Sequence, residues 1–467
     1  MTTESHSSAN PEKLLSRPYP NWELWAVYVL IALFFVVQMR LVYNLAYMGQ
    51  DWSLHADNTD RLFREPNHWF FLDTTSRPAI YAIGAFAKLF THENYTYPFA
   101  VIICVLLGLF ALKIMHRSLC VCVDQPALRL AAMTVLAFLP VNLVAGVVYS
   151  ADICTVLPFA CAAWMLYLSL HVTGGRRSMG AVFLLGLSVV AGNFVKFTFI
   201  LLPIAIALIA LIMWLWGRIS LKRLLLICVL GALLPLSAGL ALHQKAKNEL
   251  ATSETRHRFN WAGTGEMTWT SLLGLKRTDL RIFDAPGYWD KGTQPGGAEM
   301  PLLEANGYSY LALLHLGVFS DVLDFANRGN TDNGAPRPPV QKKYSQFSVR
   351  GGLVWSLLVV LSVFFLITQF VRFESDPSRR PPSVVMVWVI FGAAWFLPIV
   401  LNLPFVYHVY DWGYWLPRLI VPAIWSGALV AAWALAQFLN NKARFWQWSV
   451  LAAALIQSWW QVRSVWY

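Results

Sequence analysis

Asp51, Asp152, Lys196 and Arg418 are ionisable residues set beside or between long apolar runs, where charge is costly and its retention usually serves a function. Asp51 sits in Gln50-Asp51-Trp52 directly after the first apolar run, with His55, Asp57 and Asp60 following in the same polar stretch. Asp152 closes Tyr149-Ser150-Ala151-Asp152, where a carboxylate ahead of an apolar run also serves as an ordinary helix cap. Lys196 stands alone in Gly192-Asn193-Phe194-Val195-Lys196-Phe197, so snorkelling at a helix end competes with a functional role. Arg418, in Trp415-Leu416-Pro417-Arg418, opens a late apolar run. Carboxylates and cations gathered at one membrane face suit a reaction between a phosphorylated lipid headgroup and a hydroxyl nucleophile. A carboxylate accepts the hydroxyl proton, while Lys and Arg hold the phosphate and stabilise its leaving charge. Outside the cytosol no sugar nucleotide is at hand, so the donor would have to be membrane-bound.

These residues share a face only if the elements carrying them cross a membrane in the right order. Hydrophobic residues make up 57% of the 467-residue chain and charged ones 13%, far from the soluble average. Apolar runs near 24–44, 97–114, 128–148, 153–171, 179–195, 199–216, 223–242, 352–371, 384–401, 418–437 and 446–461 are long enough to cross about 30 Å of hydrocarbon as helices. They are apolar on all sides rather than alternating, which excludes a β-barrel. The formal charge of +11 is carried by residues such as Arg117, Arg129, Arg176, Arg177, Lys222, Arg223, Arg379 and Arg444 in alternate short connections. That placement follows the positive-inside rule rather than a nucleic-acid footprint, and it predicts a cytosolic N-terminus. The polar first 22 residues lack a cleavable signal, so the first helix directs insertion. Many of the 22 Trp residues flank the runs, as an aromatic belt does. The six Cys read as packing thiols: Cys104, Cys154, Cys161 and Cys228 lie in apolar spans, and Cys120 and Cys122 in a cytosolic turn.

The expected fold is an all-α polytopic membrane protein of about eleven transmembrane helices, with an interfacial helix in the first external loop and a small external cap. Four parts follow: a cytosolic tail (1–23), an N-terminal transmembrane module (24–242) with the external loop 45–96, a second external stretch (243–350), and C-terminal membrane helices (351–467). Within the first loop, Pro78 to Phe90 is a short amphipathic run suited to the interface. The second stretch shows one helix-like pattern from Tyr308 to Phe325 and a turn-rich tail from Asn327 to Gln341.

At these residues the chain resembles the GT-C superfamily of glycosyltransferases, specifically the protein O-mannosyltransferase and lipid A aminoarabinose transferase group. Asp51 followed by Asp73 to Tyr81 looks like that family's first-loop acidic residue and interfacial helix. Tyr149 to Asp152 looks like its second acidic motif, Gly192 to Pro203 like its Lys-containing hinge, and Arg418 to Pro422 like its late Arg-x-x-x-Pro segment. The chain departs from the family pattern in having Asp51-Trp52 where an Asp-Glu pair is common, and a single Pro78 where two prolines are common.

The resemblance implies a sugar moved from a polyprenyl-phosphate-linked donor to an acceptor hydroxyl, with inversion, at the external face of a bacterial inner membrane. The acceptor would be a lipid, glycan or protein. In that scheme Asp51 is the base, with Asp57 and Asp60 as alternatives, and Asp152 supports the acceptor. Lys196, Arg77 and Arg418 face the donor phosphate, and His55 and Tyr81 serve the acceptor side. Asp51 and Asp152 are also the pair that would hold a divalent metal. A transporter or lipid flippase would share the topology but place its polar groups at the midplane between structural repeats.

Overall fold

The computed structural model describes residues 20–45, 52–65, 78–92, 95–147, 154–172, 175–252, 310–319, 339–371, 381–406, 420–439 and 444–465. In chain order the helices are α1 (Asn21–Leu45), α2 (Trp52–Arg64), α3 (Ala79–Lys88), α4 (Thr96–Cys122), α5 (Pro126–Phe138), α6 (Pro140–Ala145), α7 (Val156–His171) and α8 (Gly175–Val195). A 3₁₀ turn (Phe197–Leu201) leads into α9 (Leu202–Leu215). After α10 (Leu221–Leu226) a π-segment (Ile227–Leu233) runs straight on into α11 (Leu234–Thr252). The remainder are α12 (Tyr310–Phe319), α13 (Pro339–Val371), α14 (Ser383–Val406), α15 (Val421–Leu439) and α16 (Arg444–Val465). Among the described residues seven helices are long and apolar enough to cross a membrane, joined by shorter apolar ones including α5 and α7.

Buried polar contacts fix which helix ends lie together. The Glu23 carboxylate at the start of α1 is fully buried and takes a two-pronged ion pair from Arg129 at the start of α5, with Nε to Oε1 at 2.6 Å. His116, near the end of α4, reaches the same carboxylate at 3.1 Å. Arg129 also donates to the Val123 and Asp124 carbonyls at 2.7 and 3.0 Å, so every prong of the guanidinium is used. At the same end Arg223 donates to the Ser169 and Val172 carbonyls where α7 stops, and His171 meets Ser383 where α14 starts. Trp22 and Trp448 pack at 5.8 Å and bring in the start of α16. This basic end gathers Arg117, Arg176, Arg177, Lys222 and Arg444.

The opposite end therefore holds the end of α1, the starts of α4 and α7, the end of α8 and the start of α15. There the start of α13 meets the end of α16 through Gln457, which donates to the Ser348 carbonyl at 2.9 Å. α12 docks along α13 through His315, whose two ring nitrogens lie 2.9 Å from Ser356 Oγ and from the Val349 carbonyl. Large apolar side chains such as Leu33, Phe110, Phe183, Leu215 and Phe364 face outward, as a hydrocarbon solvent permits.

Several expectations need correction. The run 128–148 is not one helix: it breaks at Leu139, because Pro140 lacks the N–H that would continue the ladder. Cys120 and Cys122 lie in the last turn of α4, not in a connecting turn. The helix containing α11 continues to Thr252 and α13 begins at Pro339, so both run into the second polar stretch, whose apolar pattern is helical, among the described residues, over Tyr310–Phe319. Glu23, at the edge of the expected tail, is inside the bundle. α2 was not expected at all.

Candidate functional site

α2, α3 and the start of α4 form a small polar-to-apolar platform at the end away from the basic residues. α2 buries His55, Ala56, Asn58 and Thr59 and exposes Asp57, Arg61 and Arg64, the division of an amphipathic helix lying against a surface. α3 answers with Ile80 and Tyr81, both essentially inaccessible. Across this contact His55 Nδ1 and Tyr81 Oη lie 3.2 Å apart, with ring centroids at 5.7 Å. Asp60 is engaged differently. Its Oδ1 takes the Lys88 ammonium at 2.5 Å and the Tyr97 hydroxyl at 3.0 Å, tying α2 to α3 and α4. Two of the sequence candidates, His55 and Tyr81, are thus brought together, Asp60 is committed to a pair, and Asp57 faces outward.

Lys196 marks a hinge whose shape follows from its neighbours. Its amide closes the last turn of α8 on the Gly192 carbonyl at 2.8 Å, while its own carbonyl already starts the 3₁₀ turn by accepting from Phe199 at 3.2 Å. Its backbone is extended between the two (φ −153°, ψ 143°). The chain can turn here because Gly192 leaves room for the Phe199 ring: a Cβ on Gly192 would fall 2.1 Å from it. Phe199 is wholly buried and meets Trp395 edge-on at 4.9 Å. Pro203 then opens α9 at a position where its missing N–H costs nothing. The half-buried Lys196 side chain consequently leaves the bundle at a fixed kink rather than at a frayed end.

Two spaces lie toward this end. One is an apolar groove of about 440 Å³ between α3, α4, α7 and α8, lined by residues including Ile83, Leu107, Pro158, Leu187, Phe194 and Val195, the last adjoining Lys196. The other is a cavity of about 60 Å³ inside the bundle, lined among others by Gln38 of α1, Asn142 of α6 and Trp425 of α15. Asp51, Asp152, Arg77 and Arg418 lie outside the described residues, as do Asp73 to Arg77 and Arg256 to Arg258. Described residues resume at Trp52, Cys154 and Ile420, one, two and two residues after Asp51, Asp152 and Arg418.

The pair that would hold a metal, Asp51 and Asp152, is among those residues. Among the described residues one group of three, Glu23, His116 and Cys120, has ligand atoms within 4.8 Å of one another, but it sits at the basic end and its carboxylate is already occupied by Arg129. Sequence reasoning passed over Gln38 and Asn142 because it weighed only ionisable groups. A buried amide inside an apolar run is the same kind of signal at lower charge.

No family model and no curated protein matches the chain. Among solved structures, the apo crystal structure of the oligosaccharyltransferase from Archaeoglobus fulgidus superposes on 95% of this chain and 56% of its own length, with a TM-score of 0.52 and 13% identity. The chain thus spans a little over half of that protein. ArnT from Cupriavidus metallidurans bound to undecaprenyl phosphate superposes on 90% of this chain and 78% of its own at a TM-score of 0.38, and its apo state on 89% and 77% at 0.37, both at 13% identity. The all-α, polytopic fold of this chain is similar to that of the Archaeoglobus fulgidus oligosaccharyltransferase.

Proposed function

We propose that this chain is a membrane glycosyltransferase that moves a sugar from a polyprenyl-phosphate-linked donor to an acceptor hydroxyl, with its site on the extracytoplasmic side and its basic end in the cytosol. The observation that carries the reading is convergence. The Lys196 hinge, the His55–Tyr81 pair and the helix ends that lead to Asp51, Asp152 and Arg418 share the end of the bundle opposite the basic cluster. A transporter would need such groups near the midplane between repeats.

In this reading the isoprenoid tail lies in the apolar groove between α3, α4, α7 and α8, and the phosphate meets Lys196 where the groove ends at Val195. Arg77 and Arg418 complete the phosphate side. The acceptor hydroxyl attacks the anomeric carbon from the face opposite the phosphate, a new C–O bond forms as the sugar–phosphate C–O bond breaks, and the configuration inverts. Asp51 takes the hydroxyl proton, and the leaving phosphate keeps the electron pair, held by the cations. Asp152 and the His55–Tyr81 pair orient the acceptor.

Lys196→Met in purified, lipid-reconstituted protein tests the donor side. One charge-assisted contact is worth about 1.5–3 kcal/mol, so polyprenyl phosphate should bind about ten- to a hundredfold more weakly while thermal stability holds. Wild-type affinity in the variant would leave Lys196 an anchoring role and remove it from the site.

A further inference from the structure

Three residues that line the 60 Å³ cavity carry side-chain polar atoms that nothing in the described structure satisfies. Gln38, Asn142 and Trp425 all line it and are 0%, 9% and 5% exposed. Gln38 Oε1, Asn142 Oδ1 and Trp425 Nε1 find no hydrogen-bond partner among the described residues. The orientation of both amides is fixed by chemistry. Asn142 Nδ2 donates to the Leu136 carbonyl at 2.5 Å, the very carbonyl that Pro140, lacking an N–H, leaves open four residues on. Gln38 Nε2 donates to the carbonyls of Asn142 and Leu143, both at 3.3 Å. A carbonyl only accepts, so the amide nitrogens must face the backbone and the amide oxygens must face away from it. Gly146 makes the approach possible, since a Cβ there would fall 2.9 Å from Gln38 Nε2.

Two unsatisfied acceptors and one indole donor, on residues that line one space, define the ligand's chemistry. A phosphate would face two oxygens with a single donor to hold it, and a bare cation would face an N–H dipole of the wrong sign. A neutral hydroxyl donates to one amide oxygen and accepts from the indole. The space exceeds by several-fold the roughly 10–15 Å³ that one water requires, so it takes a group of several atoms. Its position is equally specific: Gly146 and Val156, on its wall, lie six residues before and four after Asp152, and Val421 lies three after Arg418.

We infer that Gln38, Asn142 and Trp425 form a neutral subsite, sunk into the bundle beneath the candidate site, that receives a hydroxyl-bearing arm of the donor's sugar. The inference rests on the transferase reading and adds to it a specificity device on α1, α6 and α15. The phosphate is gripped by cations at the surface and the sugar is read by uncharged groups below.

The experiment measures binding of bare polyprenyl phosphate and of a panel of polyprenyl-phosphate-linked hexoses and pentoses to the reconstituted full chain. Trp425→Phe removes the N–H and keeps a ring, and Gln38→Leu removes the amide. Each should lower the preference for the best glycosylated carrier over the bare one by about tenfold, the worth of one hydrogen bond, and leave affinity for the bare carrier as in wild type. An unchanged preference in both variants would overturn the subsite alone and leave the cavity holding only water. Parallel loss of both affinities would overturn it in favour of a structural role. Failure of the wild-type protein to bind any carrier would instead sink the transferase reading on which it rests.

Discussion

Three carboxylates compete for the role of base in the first polar loop, and the structure separates two of them by what they touch. Asp60 is spoken for: Lys88 and Tyr97 hold it, and its work is to brace α2 against α3 and α4. Asp57 projects from the exposed face of α2. Asp51, one residue before that helix in sequence, remains the residue whose loss should stop the chemistry. Asp51→Asn keeps shape and loses the ability to take a proton, so transfer should fall by about 10² to 10⁴ while carrier binding persists. Asp57→Asn should transfer at nearly the wild-type rate, and Asp60→Asn should show its effect first in thermal stability. A dead Asp57→Asn beside an active Asp51→Asn, compared in the same turnover assay, would move the base six residues along the chain. Asp51 was singled out by residue type and placement alone, and it lies outside the described residues. The pairing of His55 with Tyr81 was not legible in the sequence, because it depends on α2 being helical, and the sequence Ser53 to Arg64 is polar enough to pass for a loop.

Helix ends, rather than helix interiors, carry most of the information in this fold. The Glu23–Arg129–His116 cluster joins the start of α1, the end of α4 and the start of α5 in one buried ion pair. Such a pair is weak evidence for net stability, but breaking it from one side is expensive, because the remaining charge stays buried without compensation. Glu23→Gln should therefore cost on the order of 3–5 kcal/mol, seen as an earlier thermal transition in detergent, and Glu23→Met with Arg129→Met should recover much of it. An unchanged transition in the single variant would mean that the cluster is hydrated and unimportant. The sequence showed Arg129 only as one more positive-inside residue, since nothing local pairs it with a carboxylate 106 positions away. The break at Leu139–Pro140 was readable in principle. It was absorbed into one apolar run because membrane helices tolerate proline when something else satisfies the freed carbonyl. Asn142 is that something, and its role appears only when the side chain is seen to fold back.

At the scale of the whole molecule the reading from sequence was most secure, for a physical reason. Apolar runs of spanning length leave the chain little choice but helices across a bilayer, and alternating basic connections then sort the ends. The structure gathers those basic residues at one end and His55, Tyr81 and Lys196, among the described candidates, at the other. Length and charge do not foretell the neutral cavity under the site or the groove beside Lys196, because both are made by helices far apart in sequence. The central claim, that this bundle transfers a sugar rather than moving a lipid, is tested most directly by the fate of the carrier. Purified protein in liposomes is given polyprenyl-phosphate-linked sugars together with a lipid and glycan extract as acceptor, and free polyprenyl phosphate is followed by mass spectrometry. The account predicts release of bare carrier matched by sugar appearing on an acceptor, both abolished in Asp51→Asn. Carrier crossing the membrane with its sugar still attached, at the same rate in wild type and Asp51→Asn, would contradict it.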